Sequence, residues 1–245
     1  MPASSNFQQA IQEAQRGALV GPNVVNKALP YVGGGMVLTA VGILGGMSLM
    51  ATNAALFMPL FWVALIGNFI LFFVAQNVAL KGNSATALPL LTAYSLITGF
   101  TLSGIVSYAL VAAGIGAIGT AALATGITFV VASVLGRRMS DSVGQSLSAV
   151  VGLGLLGLII AMVVQLVGSF FAPAMFTGGG FELMIAGFGT ILFVGAAFVD
   201  FYTMPRTYSD DQYLAGALGM YLTYINLFIF ILRLIIALNG GGRRD

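Results

Sequence analysis

The chain contains no cysteine and no histidine among its 245 residues, and it carries very little charge. Without cysteine there are no disulfides, no thiol catalysis and no thiolate metal site, and the redox compartment leaves no trace. Without histidine the commonest general base and metal ligand is gone. Charged residues form 7% of the chain and hydrophobic ones 59%, against about 25% charged in a soluble domain. So few charges cannot cover a soluble fold of this length. The net charge of +2 rests on nine basic residues scattered at the ends of apolar runs. They read as topology signals and not as a nucleic-acid footprint.

What fills the space between the charges is apolar. No Asp, Glu, Lys or Arg lies between Lys27 and Lys81, or between Lys81 and Arg137. Further uncharged stretches run from Asp141 to Glu182, Glu182 to Asp200, and Asp211 to Arg233. A membrane span needs roughly 20 apolar residues. The first two stretches therefore hold two spans each and the other three hold one apiece. The expectation is an all-α bundle of seven transmembrane helices near 31–52, 57–80, 88–112, 116–135, 147–170, 182–204 and 214–238. Breaks are expected at Asn53, Lys81 to Asn83, Gly114 to Gly116, Gly136 to Arg138, Pro173 to Gly180, and Pro205-Arg206.

Three regions follow: a polar segment over 1–30, the seven-span domain over 31–238, and a tail over 239–245. The polar segment lacks the apolar core and cleavage site of a secretory signal, so the first span is expected to act as the insertion signal and to remain. Within it Phe7, Ile11, Ala14 and Ala18 recur at helical spacing up to Gly21-Pro22. This suits either a short helix lying on the membrane surface or a frayed tail. In the third span Ser95, Gly99, Ser103 and Ser107 fall four apart, and Gly42 and Gly46 do so in the first. Such small-residue stripes usually mean close helix contact.

Orientation follows from the bias of Lys and Arg towards the cytoplasm. Arg16, Lys27, Lys81, Arg137, Arg138 and Arg206 fall on one side of a seven-span chain, which predicts a cytoplasmic N-terminus. Arg243 and Arg244 would lie outside after seven full crossings, so either the early spans dominate or the last segment turns back.

Polar residues inside a membrane are costly, which makes each a functional candidate. They are Asn68, Gln76 and Asn77 in the second span, Gln165 in the fifth, Asp200 in the sixth, and Thr223, Asn226 and Arg233 in the seventh. Glu182, at a span boundary, reads as interfacial. Ser209 and Gln212 frame a capping box with Asp210 and Asp211 in its first turn. Asp200 alone is an acid well inside a span, and burial penalises its charged form unless a cation or donors favour it. The other reading is an acid close enough to the interface to reach water. Arg233 belongs near the opposite membrane face, about 25 Å along the helix from Gly216. It is therefore expected to snorkel or bind backbone carbonyls rather than meet Asp200. Gln76 and Asn77, at the level of Asp200, are its expected hydrogen-bond donors, with Asn68 a further polar candidate.

No enzyme constellation is present. A membrane serine hydrolase would need a histidine or lysine base in a span, metal-assisted hydrolysis usually needs histidines or several carboxylates, and Gly178 to Gly180 lacks the Gly-Lys-Ser/Thr of a phosphate loop. No cofactor is expected.

The seventh span becomes specific in ALGMYLTYINLFIFILRLI, residues 217–235. It resembles the C-terminal signature of the Bax inhibitor-1 (TMBIM) family, Leu-Tyr-Leu-Asp-x-Ile-Asn-Leu-Phe followed by Leu-Leu-Arg-Leu. Tyr221, Leu222, Ile225, Asn226, Leu227, Phe228 and Arg233 match in place. Gly99 and Ser103 fit the family's third-span pattern, and Asp200 falls on the acid of its sixth-span stretch. The resemblance implies a seven-span, prokaryotic-type member of a family associated with pH-sensitive calcium leak, with one aspartate in the sixth span and one in the seventh sharing a proton. Here the second position is Thr223, and the second span lacks the arginine that pairs with the acids. The implied latch is therefore lost or rebuilt. Two functions follow from the resemblance. One is a leak for calcium or another cation through the inner membrane, with Asp200, Thr223 and Asn226 along the path and Asp200 as a transient calcium ligand. The other is a non-transporting regulator that binds membrane proteins such as a protease.

Overall fold

The computed structural model describes residues 19–176 and 179–240, so the expected surface helix over 5–20 and the basic pair Arg243 and Arg244 lie outside, or almost wholly outside, the described residues. Seven long helices follow one another: α1 Val24–Thr52, α2 Ala54–Leu80, α3 Ser84–Ala113, α4 Ile115–Leu135, α5 Asp141–Phe171, α6 Gly179–Thr207 and α7 Tyr213–Gly240. All seven are long and apolar enough to cross a membrane. The chain is a multi-pass membrane protein built as a seven-helix bundle.

The joints are tight and chemically specified. Asn53 ends α1 and opens α2, where its side chain accepts from the Leu56 N–H. Gly82 turns between α2 and α3 with φ +70°, and the Asn83 side chain then caps α3 by accepting from Thr86 N–H. Gly114 joins α3 to α4 at φ +78°. Both glycines occupy the left-handed region that side chains avoid. Ser209 and Gln212 form the expected capping box ahead of α7. One expected break falls later than Pro205-Arg206: α6 runs on through Pro205 to Thr207. Pro205 removes only the N–H that would reach the Phe201 carbonyl, and the Arg206 guanidinium donates to the neighbouring Tyr202 carbonyl. Likewise α1 begins at Val24, with Pro30 inside it, rather than near 31.

Helix α7 is the axis of the bundle. It packs against α1, α2, α3, α4 and α6, and Tyr221, Leu227, Leu218 and Leu232 on it are wholly buried. Much of the motif is therefore closely packed, Tyr221, Leu227 and Phe228 among its buried positions. Helices α2 and α5 are the outliers, with only 6% and 11% of their apolar windows buried, and their remaining surface suits lipid. The α1–α3 crossing depends on the small-residue stripes. A Cβ on Gly42 would strike the Leu96 carbonyl, one on Gly99 would strike the Thr39 carbonyl, and one on Gly46 would strike Ser103. Backbones meet here almost without side chains between them.

Candidate functional site

The end of the bundle that carries Lys81, Arg137, Arg138 and Arg206, the basic end, is laced together by side chains. Asp210 accepts from the Asn23 backbone N–H at 2.9 Å and from Asn23 Nδ2 at 3.2 Å, with Lys27 Nζ at 3.8 Å. Arg206 pairs with Asp141 at 3.1 Å while its guanidinium lies 4.0 Å over the Tyr202 ring. Gln212 Nε2 donates to the Leu80 carbonyl at 2.7 Å. These contacts fix the α6–α7 connection against α1 and α2.

Beneath that lacing sits Asp200, about 10 Å inside the end of α6 at Thr207. Its Oδ2 is buried and meets no hydrogen-bond donor among the described residues. The Thr223 hydroxyl of α7 approaches the carboxyl without a hydrogen bond as short as 3.5 Å. Asp200 opens onto a cavity of about 140 Å³ lined also by Thr203, Met204, Thr207, Tyr208, Gly216, Gly219 and Met220. The Tyr208 hydroxyl, at the mouth, accepts from Gln76 Nε2 at 3.4 Å. Burial holds the Tyr208 phenol above its ordinary titration range, with the donor Gln76 opposing and the Asp200 charge adding to the shift. It therefore serves as a neutral hydrogen-bonding wall. The group is thus one carboxylate, several neutral oxygens and a space large enough for water.

The expected partners of Asp200 are distributed differently. Gln76 reaches Tyr208 rather than the carboxylate. Asn77 faces outward from the bundle. Asn68 donates to Thr98 Oγ1 at 2.9 Å, a full helix turn or more deeper in the bundle. Asn226 donates to its own helix, at the Leu222 carbonyl, 2.9 Å away. Of the residues singled out from the sequence, Thr223 is the one that approaches Asp200.

Arg233 is a correction. It neither snorkels nor binds carbonyls: Nε donates to Glu182 Oε1 at 2.7 Å and Nη2 to Oε2 at 2.9 Å, a bidentate pair. Gln165 joins it, donating to Glu182 Oε2 at 3.0 Å and to the Phe176 carbonyl at 3.3 Å. Glu182, partly exposed in the first turn of α6, is an interfacial acid that carries a partner. Three polar residues noted separately in the sequence are one cluster tying α5, α6 and α7 at the end opposite Asp200.

A second polar network was invisible in the sequence. Thr39 and the Tyr221 hydroxyl lie 2.5 Å apart, Thr39 Oγ1 also faces the Gly35 and Ser95 carbonyls, and Tyr94 packs edge-on to Tyr221. Nothing in the spacing of one threonine and one tyrosine 182 residues apart announces this contact. The match of Tyr221 to the seventh-span motif was the one signal available.

The profile of the family described as inhibitor of apoptosis-promoting Bax1 matches residues 21–240. The chain belongs to the Bax inhibitor-1 family. The match begins just before α1 and ends with α7, so it covers the whole bundle. Among relatives within reach of this Bax inhibitor-1 member, the uncharacterised protein YrjE of Lactococcus lactis is 27% identical over 89% of this chain and 92% of its own length. An uncharacterised membrane protein of Streptococcus pyogenes is 30% identical over 71% and 73%. Bax inhibitor 1 of Schizosaccharomyces pombe is 39% identical over 54 residues, 22% of this chain and 20% of its own.

Proposed function

We propose that this Bax inhibitor-1 member lets a cation, calcium first among them, leak across a prokaryotic inner membrane, with its N-terminus cytoplasmic and Asp200 as the acid of the path. The observation that carries the reading is the Asp200 carboxylate: it has an unpartnered oxygen, no Lys or Arg paired with it among the described residues, and in front of it a cavity whose lining mixes hydroxyls with Met204 and Met220. A buried acid held without a cation is costly and is retained where a cation visits. Thr203, Thr207, Tyr208 and Thr223 would offer further oxygens. Calcium binds stably through six to eight oxygens, usually with several carboxylates. One carboxylate among neutral oxygens therefore suits an ion in passage better than an ion held. No resident cofactor and no enzymatic step enter this reading.

Thr223 alters the latch. In place of two acids sharing a proton there is one acid beside a hydroxyl, so no locked dyad forms and pH control should be weak. That same substitution favours a second reading, a non-transporting regulator that binds other membrane proteins such as a protease. Calcium entry into reconstituted vesicles separates the two. The leak reading expects entry that falls in Asp200→Asn. Entry no faster than in empty vesicles, with a membrane protein co-purifying under the same conditions, favours the regulator.

A further inference from the structure

The seam between α6 and α7, flanked by α5, is polar at both ends and dry between them. At one end lie Asp200 and Thr223, and at the other Gln165, Glu182 and Arg233. Thr223 and Arg233 are about 15 Å apart along α7. The interval is filled by a small hydrophobic cluster separate from the main core: Leu158 of α5, Ile185 and Leu192 of α6, and Phe230 of α7, all buried. Phe193 stacks on Phe230 with ring centroids 5.3 Å apart.

This cluster is locked by two glycine sockets. A Cβ on Gly189 would strike the Phe230 ring, and one on Gly154 would strike the Leu192 side chain. Each large side chain therefore fills a notch in the neighbouring helix and leaves no room for water. A water molecule needs space and two or more polar partners, and the plug offers neither. Arg233 also lies 5.4 Å from the centroid of the Phe230 ring, so the outer ion pair and the plug move as neighbours. Hydrophobic constrictions of this kind stop ions by excluding the water that ions need.

We infer that this plug is the closed barrier of the leak path and that Phe230 sets the leak rate, an inference that rests on the cation-leak reading above. The path runs from the Glu182 end along the α6–α7 seam to Asp200, in series with the plug.

Vesicles loaded with a fluorescent calcium indicator test it with five proteins: wild type, Phe230→Ala, Phe193→Ala, the lipid-facing control Phe69→Ala, and Phe230→Ala combined with Asp200→Asn. Phe69, on α2 and so not on a helix of the seam, is 69% exposed. Phe230→Ala should raise calcium entry at least about tenfold, the change given by a barrier lowered by about 1.4 kcal/mol. Phe193→Ala should raise it less, Phe69→Ala should leave it at the wild-type rate, and adding Asp200→Asn should reverse the rise. If Phe230→Ala does not fold, Phe193→Ala carries the test. Wild-type entry that depends on Asp200, with no rise in either seam variant, overturns the plug and leaves the leak reading standing. A rise that Asp200→Asn does not reverse overturns the series path. No entry in any of the five, including those that fold, overturns the leak reading itself, and the plug with it.

Discussion

Replacing Arg233 by methionine isolates the Glu182 carboxylate. Methionine keeps most of the apolar stem of arginine and removes both donors that hold Glu182 at 2.7 and 2.9 Å. Breaking a fully buried pair from one side costs about 3–5 kcal/mol, because the remaining charge is left uncompensated. The arginine side chain is 15% exposed and the glutamate 29%, and Gln165 still donates to Glu182 at 3.0 Å. Both features soften the loss, which we place at about 2 kcal/mol, between the buried value and the 0–1 kcal/mol of a surface pair. Adding Glu182→Gln should then recover about half of it, since removing both charges avoids leaving one stranded. Unfolding of the purified protein in mixed detergent micelles, read by helicity against added dodecyl sulfate, measures all four corners of the cycle. An Arg233→Met loss within about 0.5 kcal/mol of zero, the size of an ordinary surface change, would refute the reasoning. So would a double variant as unstable as the sum of the singles.

Gly99→Ala should destabilise the bundle by about 1–3 kcal/mol, because the added methyl enters the Thr39 carbonyl of α1 and the two helices must part; the same micelle titration reads it. Tyr221→Phe removes the hydroxyl that meets Thr39 without changing ring packing, and should cost about 0.6 kcal/mol and no more than about 1.7, the range for hydrogen bonds between membrane helices. Thr223→Asp places a second acid against Asp200, and the pair should share a proton at low pH. Calcium entry should then be slow in acid and rise as pH rises and the shared proton leaves, with wild type showing a flatter profile. Because the chain has no native cysteine, single cysteines at Lys81 and Gly114 report orientation directly. Labelling by an impermeant maleimide from outside intact cells should reach the Gly114 position and not the Lys81 position.

The number and order of the helices were legible because they depend on one-dimensional facts. A charge cannot sit mid-membrane at low cost, so charge-free stretches count spans, and Asn53, Gly82 and Gly114 mark joints through capping and positive φ. The glycine stripes were legible for the same reason, since close approach requires missing side chains. Pro205 located the end of α6 only to within a few residues, because near a helix's end a proline removes one N–H, the one to the Phe201 carbonyl, and the helix runs on to Thr207. Site geometry was harder. Depth along the axis correctly separated Arg233 from Asp200, but it could not say that Glu182, 51 residues earlier, would fall within reach of the guanidinium. The same blindness hid the partner of Gln76, which is Tyr208 on the α6–α7 connection. Helix rotation decides such pairings, and rotation in an apolar bundle is set by many weak contacts rather than by a stripe of charge.

The most direct test of the account is the calcium current through wild-type protein in a voltage-clamped bilayer with calcium as the sole permeant cation. The account predicts a small steady conductance that Asp200→Asn lowers. A bilayer no more conductive than protein-free lipid, or a current that Asp200→Asn leaves unchanged, would contradict it.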